Sequence, residues 1–162
     1  MENYICINGK KAELTEEQMK ALGIELPKKN LFKRAGNRTV FYYITNKGNV
    51  EHGVEINDFH CNELYKAANY CTDRAILEQR ALHETLNRLL WRYSMEHNAD
   101  KIDWSKKEFK WSIARENNIF KVYSFNDYYY IGMVFFHTQE IAKNAIKEII
   151  EPFMKAHPEF KW

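Results

Sequence analysis

Residues 133–146 read MVFFHTQEIAKNAI, and residues 67–82 read AANYCTDRAILEQRAL. Each is an aromatic, a Cys or His, a Thr, and then small and apolar residues at helical spacing. In both, the Thr is placed to accept hydrogen bonds from the first free amides of a helix. The segments before them repeat as well. VFYYIT, NKGN and VEHGVEI predict a hairpin turning at Gly48, and FKWSIAR, ENN and IFKVYSF predict another. Residues 57–66 read as loop, a short strand over 68–70 leads to Thr72, and the strand IGMVFFH leads to Thr138. One such unit cannot bury its sheet face alone, whereas two can share a core.

Outward from this repeat, the opening YICI-NG-KKAEL predicts a hairpin at Asn8-Gly9, since both turn positions need positive φ. Thr15 to Gln18 is a capping box for a short helix that Gly23 and Pro27 close. The expected fold is therefore α+β: two related ββ(β)α halves with a long central helix, preceded by a small N-terminal ββα unit. The boundaries are 1–27 for the N-terminal unit, 28–38 for a basic linker or loop, 39–98 for the first half and 99–162 for the second. Residues 39–162 are expected to form one domain.

The central helix is predicted from a Thr72 cap to about His97. Ala75, Leu82, Leu86, Leu89 and Tyr93 share one wheel face and should be buried. The opposite face carries the ladder Arg80–Glu84–Arg88 among Leu77, Asn87 and Trp91, with Arg74, His83 and Arg92 nearby. A solvated face with surface ion pairs explains the charges; Trp91 and Leu77 among them suit an anion pocket or an interface. In the last helix, Ile141, Ala145, Ile149 and Phe153 follow the apolar spacing.

Net charge is +2 at pH 7, too mild to announce a nucleic-acid binder and of the wrong sign for an acidic DNA mimic. The basic run Lys28, Lys29, Lys33, Arg34 and Arg38 precedes Phe41-Tyr42-Tyr43, a pattern that serves either a charged linker or phosphate contact with base stacking. Tyr128, Tyr129 and Tyr130 cannot all point inward from a strand, so at least one is expected at the surface. The three cysteines form no CxxC pair and read as idle thiols in a reducing cytoplasm. No apolar run reaches membrane-spanning length.

HETLN at 83–87 begins like a zinc-protease motif but puts Asn87 where the second ligand belongs. No glycine-rich phosphate loop and no paired-carboxylate spacing is present. The sequence points away from an enzyme, a metal site or a cofactor.

The halves resemble those of a widespread set of short phage and prophage proteins of Firmicutes, mostly of unknown function. Tyr42-Tyr43-Ile44, Gly48 and Asn69-Tyr70-Cys71-Thr72 carry the likeness in the first half; Phe135-Phe136, Thr138, Glu140 and Ala145-Ile146 carry it in the second. Cys71 departs from the aromatic of that pattern, and the long helix is unusually rich in Arg and His. The resemblance implies a mobile-element origin and a role in binding host factors. The function expected is a non-enzymatic inhibitor of a bacterial antiviral defence system, of the anti-CRISPR kind, occluding an effector or its nucleic-acid groove in the host cytoplasm. A sponge for a nucleotide immune signal and a nucleic-acid-binding accessory protein are the alternatives. The partner is thus a host defence protein or its nucleic acid, or a nucleotide second messenger, with no membrane; a homodimer stays open. Candidate binding residues are Lys33, Arg34, Arg38, Tyr42, Arg74, Arg80, His83, Asn87, Arg88, Trp91, Arg92, Tyr128, Tyr129 and Tyr130.

Overall fold

Among the described residues the strands pair as three hairpins, each a separate two-stranded antiparallel sheet, and the fold is α+β. The computed structural model describes residues 4–7, 10–23, 30–97, 99–103, 105, 108–126 and 132–161. The chain divides into two units, residues 1–31 and 32–162. In the first unit β1 (Tyr4–Ile7) pairs with β2 (Lys10–Glu13), Ile7 opposite Lys10. The Asn8-Gly9 turn, Pro27, Lys28 and Lys29 lie outside the described residues. Helix α1 (Glu16–Ala21) carries the expected capping box: Gln18 N donates to Thr15 Oγ1 at 3.3 Å, and Thr15 N donates to Gln18 Oε1 at 2.9 Å. Gly23, at φ +67°, follows its end.

In the second unit β3 (Val40–Ile44) pairs with β4 (Val50–Val54), Phe41 opposite Gly53. The Phe41 ring lies over the glycine, so that a Cβ there would sit 2.7 Å from Phe41 Cζ. Beneath this face, residues 57–66 are not the loop expected. Asn57 turns the chain at φ +59°, Asp58 accepts from Cys61 N, and α2 (Phe59–Lys66) follows. The helix buries only Cys61, so it carries no apolar period to read. Phe41, Cys61 and Tyr70 form the core of this half, with Phe41 and Tyr70 stacked at 4.2 Å.

A buried carboxylate organises that core. Glu55 is 0% exposed and meets Arg34 in a two-pronged pair, Nε to Oε2 at 3.0 Å and Nη2 to Oε1 at 2.9 Å. Tyr70 donates its hydroxyl to Oε2 at 2.8 Å and Asn57 its amide to Oε1 at 2.7 Å. Arg34 also reaches Asn62 Oδ1 at 2.7 Å. The Arg34 contact above all, then Tyr70 and the Asn57 amide, lower the Glu55 pKa to about 2 against the opposing effect of burial. Burial first, then the bond to Glu55, raises Tyr70 to about 12.

The third strand expected in each half is reduced to a single bridge: Cys71 pairs with Tyr42, and Phe136 with Trp111. Each bridge residue stands three positions before a helix, so the repeat exists with a register one residue different from the one the Thr residues suggest. Its first cap is therefore Asp73, which accepts from Ala75 N and Ile76 N, and not Thr72. The carboxylate takes over the role expected of the hydroxyl. Thr138 caps the second helix as expected, accepting from Ile141 N at 3.2 Å.

Helix α3 (Arg74–Glu96) is buried on two sides rather than one. At about 100° per residue, Leu77 and Ala81 lie on the side where Thr85 and Arg88 approach Gly48 of the β3–β4 turn. Leu86, Leu90 and Tyr93 lie on roughly the opposite side, in a core with Phe136, Ala142, Ala145, Ile150, Phe153 and Phe160. The helix thus serves one half with one face and the other half with the opposite face. This corrects the wheel: Leu77 is fully buried and Ala75 is exposed.

The second half places β5 (Lys110–Glu116) against β6 (Ile119–Phe125) across Asn117 and Asn118, at φ +50° and +63°. Its last helix is broken by chemistry: α4 (Gln139–Ala145) runs through a π turn at Ile146–Ile150 into α5 (Glu151–Ala156). Pro152 has no N–H for the Glu148 carbonyl, and the ladder widens to Glu151 N on Ile146 O. Ile150 is consequently the fully buried residue, and the expected Ile149 packs half-buried against the same core. Among the described residues no helix is long and apolar enough to cross a membrane.

Candidate functional site

The exposed side of α3 left between its two buried faces forms one wall of a groove; residues 132–134 form the other. The second wall is irregular because its carbonyls are taken by side chains before a ladder can form. Asn87 Nδ2 approaches Gly132 O at 3.4 Å, Ser112 Oγ donates to Val134 O at 2.8 Å, and Ser94 Oγ donates to Phe135 O. Only at Phe136 does backbone pairing with Trp111 begin. The strand expected over IGMVFFH is, from residue 132 to residue 135, an irregular segment held by side-chain donors, and Ile131 lies outside the described residues.

Three adjoining pockets of about 420, 390 and 200 Å³ share Asn87 and Gly132 and make up the groove. Leu86, Leu90, Met133 and Val134 supply apolar walls, and Trp91, 61% exposed, stands at the rim. The charges differ in their commitments. Arg74 pairs with Glu78 at 2.7 Å, Arg80 with Glu84 at 2.7 Å, and Arg92 approaches Glu96 at 3.9 Å, all at i,i+4. Arg88 has Arg92 at that position. Among the described residues no carboxylate meets it, and its Nη2 rests on Thr85 Oγ1 at 3.3 Å. Gly48 makes this seat: at φ +86°, a Cβ would lie 3.0 Å from Arg88 Nη2 and 3.1 Å from Thr85 Oγ1.

Below the groove, the same helix holds the turn and the residues that follow α5. Gln79 donates to Glu159 O at 2.9 Å and accepts from Lys161 N at 2.8 Å. His83 Nε2 donates to Lys161 O at 2.9 Å, and Phe160 is buried edge-on to His83 and Phe153. Gln79, His83 and Asn87 are one helical turn apart, and all three bind backbone.

Of the residues singled out by sequence, His83, Asn87, Arg88 and Trp91 come together in the groove. Arg80 is held by Glu84 and the Ala68 carbonyl, and Arg74 and Arg92 stand in their ion pairs outside it. Arg34 is not a linker cation, because its guanidinium is spent on Glu55 and Asn62. Lys33 and Arg38 are exposed, Arg38 in a left-handed turn with its amide on Glu55 O, and Tyr42 is half-buried in the bridge to Cys71. Tyr128, Tyr129 and Tyr130 lie outside the described residues. Residues 132–134 carry no candidate site residue in the sequence; their one signal is a lone glycine in a strand-like run, which marks a bulge or a close approach. Among the described residues no three His, Cys, Asp or Glu gather as a metal would require. Comparison with protein-family models, with curated proteins and with solved structures returns no match to this chain.

Proposed function

We propose that this chain is a non-enzymatic binding protein of phage descent that blocks a component of a bacterial antiviral defence system, docking it in the groove between α3 and residues 132–134. The observation that supports this reading is the placing of an exposed Trp91 beside Arg88, which has no carboxylate partner among the described residues, along an apolar trough. Trp and Arg are the residues that dominate binding energy at protein interfaces, above all where an apolar pocket adjoins them. The biological setting comes from the resemblance of the two halves to phage and prophage proteins.

The nucleotide-sponge reading draws less support. Of Arg80, Arg88 and Arg92 only Arg88 lines the groove, since Arg80 is paired with Glu84 and Arg92 stands outside it. The nucleic-acid reading loses Arg34 to Glu55.

The test is phage plating on hosts that each carry one defined defence system, with and without this protein. Restored plating on one host, lost in Trp91→Ala and Arg88→Glu proteins that melt like the wild type, is the expected result. No restoration on any host refutes the inhibitor reading. A rise of several degrees in melting temperature with a cyclic dinucleotide would replace it with the sponge.

A further inference from the structure

Taking the docking role of this groove as given, we propose that its occupant is an extended, acidic segment of a protein partner: a large apolar side chain set against Trp91, Met133 and Val134, with an Asp or Glu within a few residues of it that pairs with Arg88.

Three observations carry this. First, α3 already holds backbone of its own chain against this face. Residues 159–161 lie along Gln79 and His83 through backbone hydrogen bonds, with Phe160 as the buried anchor. The groove continues the same stripe through Asn87, and His83 borders both the bound segment and the groove. Second, the charge at the rim has one sign available. Arg80 neutralises Glu84, whereas Arg88 presents its guanidinium beside Trp91 with only a hydroxyl as partner among the described residues. A carboxylate arriving there gains a charge-assisted bond with a guanidinium already seated against Gly48 and Thr85. Third, the trough itself is apolar. A nucleic-acid backbone requires several cations in a row, and the neighbouring arginines on α3 are each paired with a glutamate.

The experiment is selection from a phage-displayed library of random dodecapeptides on the full-length immobilised protein, repeated on Arg88→Glu, Arg88→Lys and Trp91→Ala. Enrichment of Asp or Glu within three residues of Leu, Phe or Trp is expected on the wild type. A synthetic peptide of that consensus should weaken by about ten-fold or more on Arg88→Glu and on Trp91→Ala, and by less on Arg88→Lys. Arg88→Glu should select basic peptides instead. Enrichment of basic or uncharged peptides on the wild type, or no enrichment, overturns the inference. Binding of a thymidine oligonucleotide that depends on Arg88 reassigns the rim to nucleic acid. If selection fails while phage plating still depends on Trp91, docking stands and the acidic occupant falls; if plating is also indifferent to Trp91 and Arg88, the docking reading itself falls.

Discussion

Replacing Glu55 by Gln keeps the shape of the buried side chain and removes its charge, leaving Arg34 and the Tyr70 hydroxyl facing an amide. The folded carboxyl has a pKa of about 2 against an ordinary value of 4.5. A difference of that size, at about 1.4 kcal/mol per pH unit, converts to roughly 3 kcal/mol. The Arg34 side chain is 30% exposed, so solvent screening lowers the expected contribution to about 2–3 kcal/mol. Because the folded pKa is the lower one, this stability is fully present above pH 4.5 and is lost as pH falls toward 2. Urea melts followed by tryptophan fluorescence at pH 7, 5, 4 and 3 should show Glu55→Gln less stable by about 2–3 kcal/mol at neutral pH. The gap should narrow to roughly half by pH 3, as linkage requires. A gap under about 0.5 kcal/mol at pH 7, the level of an ordinary surface change, would refute the role given to this network, as would a gap that acid leaves unchanged.

Three further substitutions probe the fold. Gly53→Ala drives a Cβ to 2.7 Å from Phe41 Cζ and should lower stability by about 1–3 kcal/mol, with much of the loss recovered in the Phe41→Leu background by thermal melting. Ser94→Ala removes the buried hydroxyl's bond to the Phe135 carbonyl and should cost about 0.5–1.5 kcal/mol in the same assay. Asp73→Ala removes the acceptor for Ala75 N and Ile76 N and should cost about 1 kcal/mol, visible as faster hydrogen exchange in the first turn of α3.

The parts of this fold legible in sequence are those written in local chemistry. Asn117-Asn118 takes the positive φ that a two-residue hairpin needs, and Thr15 with Gln18 closes the capping box. The Thr138 cap is as local. What escapes is set by partners distant in the chain. Glu55 lies buried between exposed Val54 and Ile56, the reverse of the usual strand pattern, because Arg34, 21 residues earlier, neutralises it. Helix α3 defeats a single wheel because two opposite faces of it pack against different halves. Pro152 shifts the burial register by one through the π turn. The groove was half legible: Asn87, Arg88 and Trp91 stand out on their helix face, while Gly132, Met133 and Val134 join them only through the tertiary fold.

Docking in the groove is tested most directly by photo-crosslinking in phage-infected host cells. Benzoylphenylalanine replaces either Trp91 at the groove rim or Ile119, equally exposed at 61% on the β5–β6 turn. An adduct of one size from position 91, absent from position 119 and abolished by Arg88→Glu, is the predicted result. Equal adducts from both positions, or an adduct from 119 alone, would contradict it.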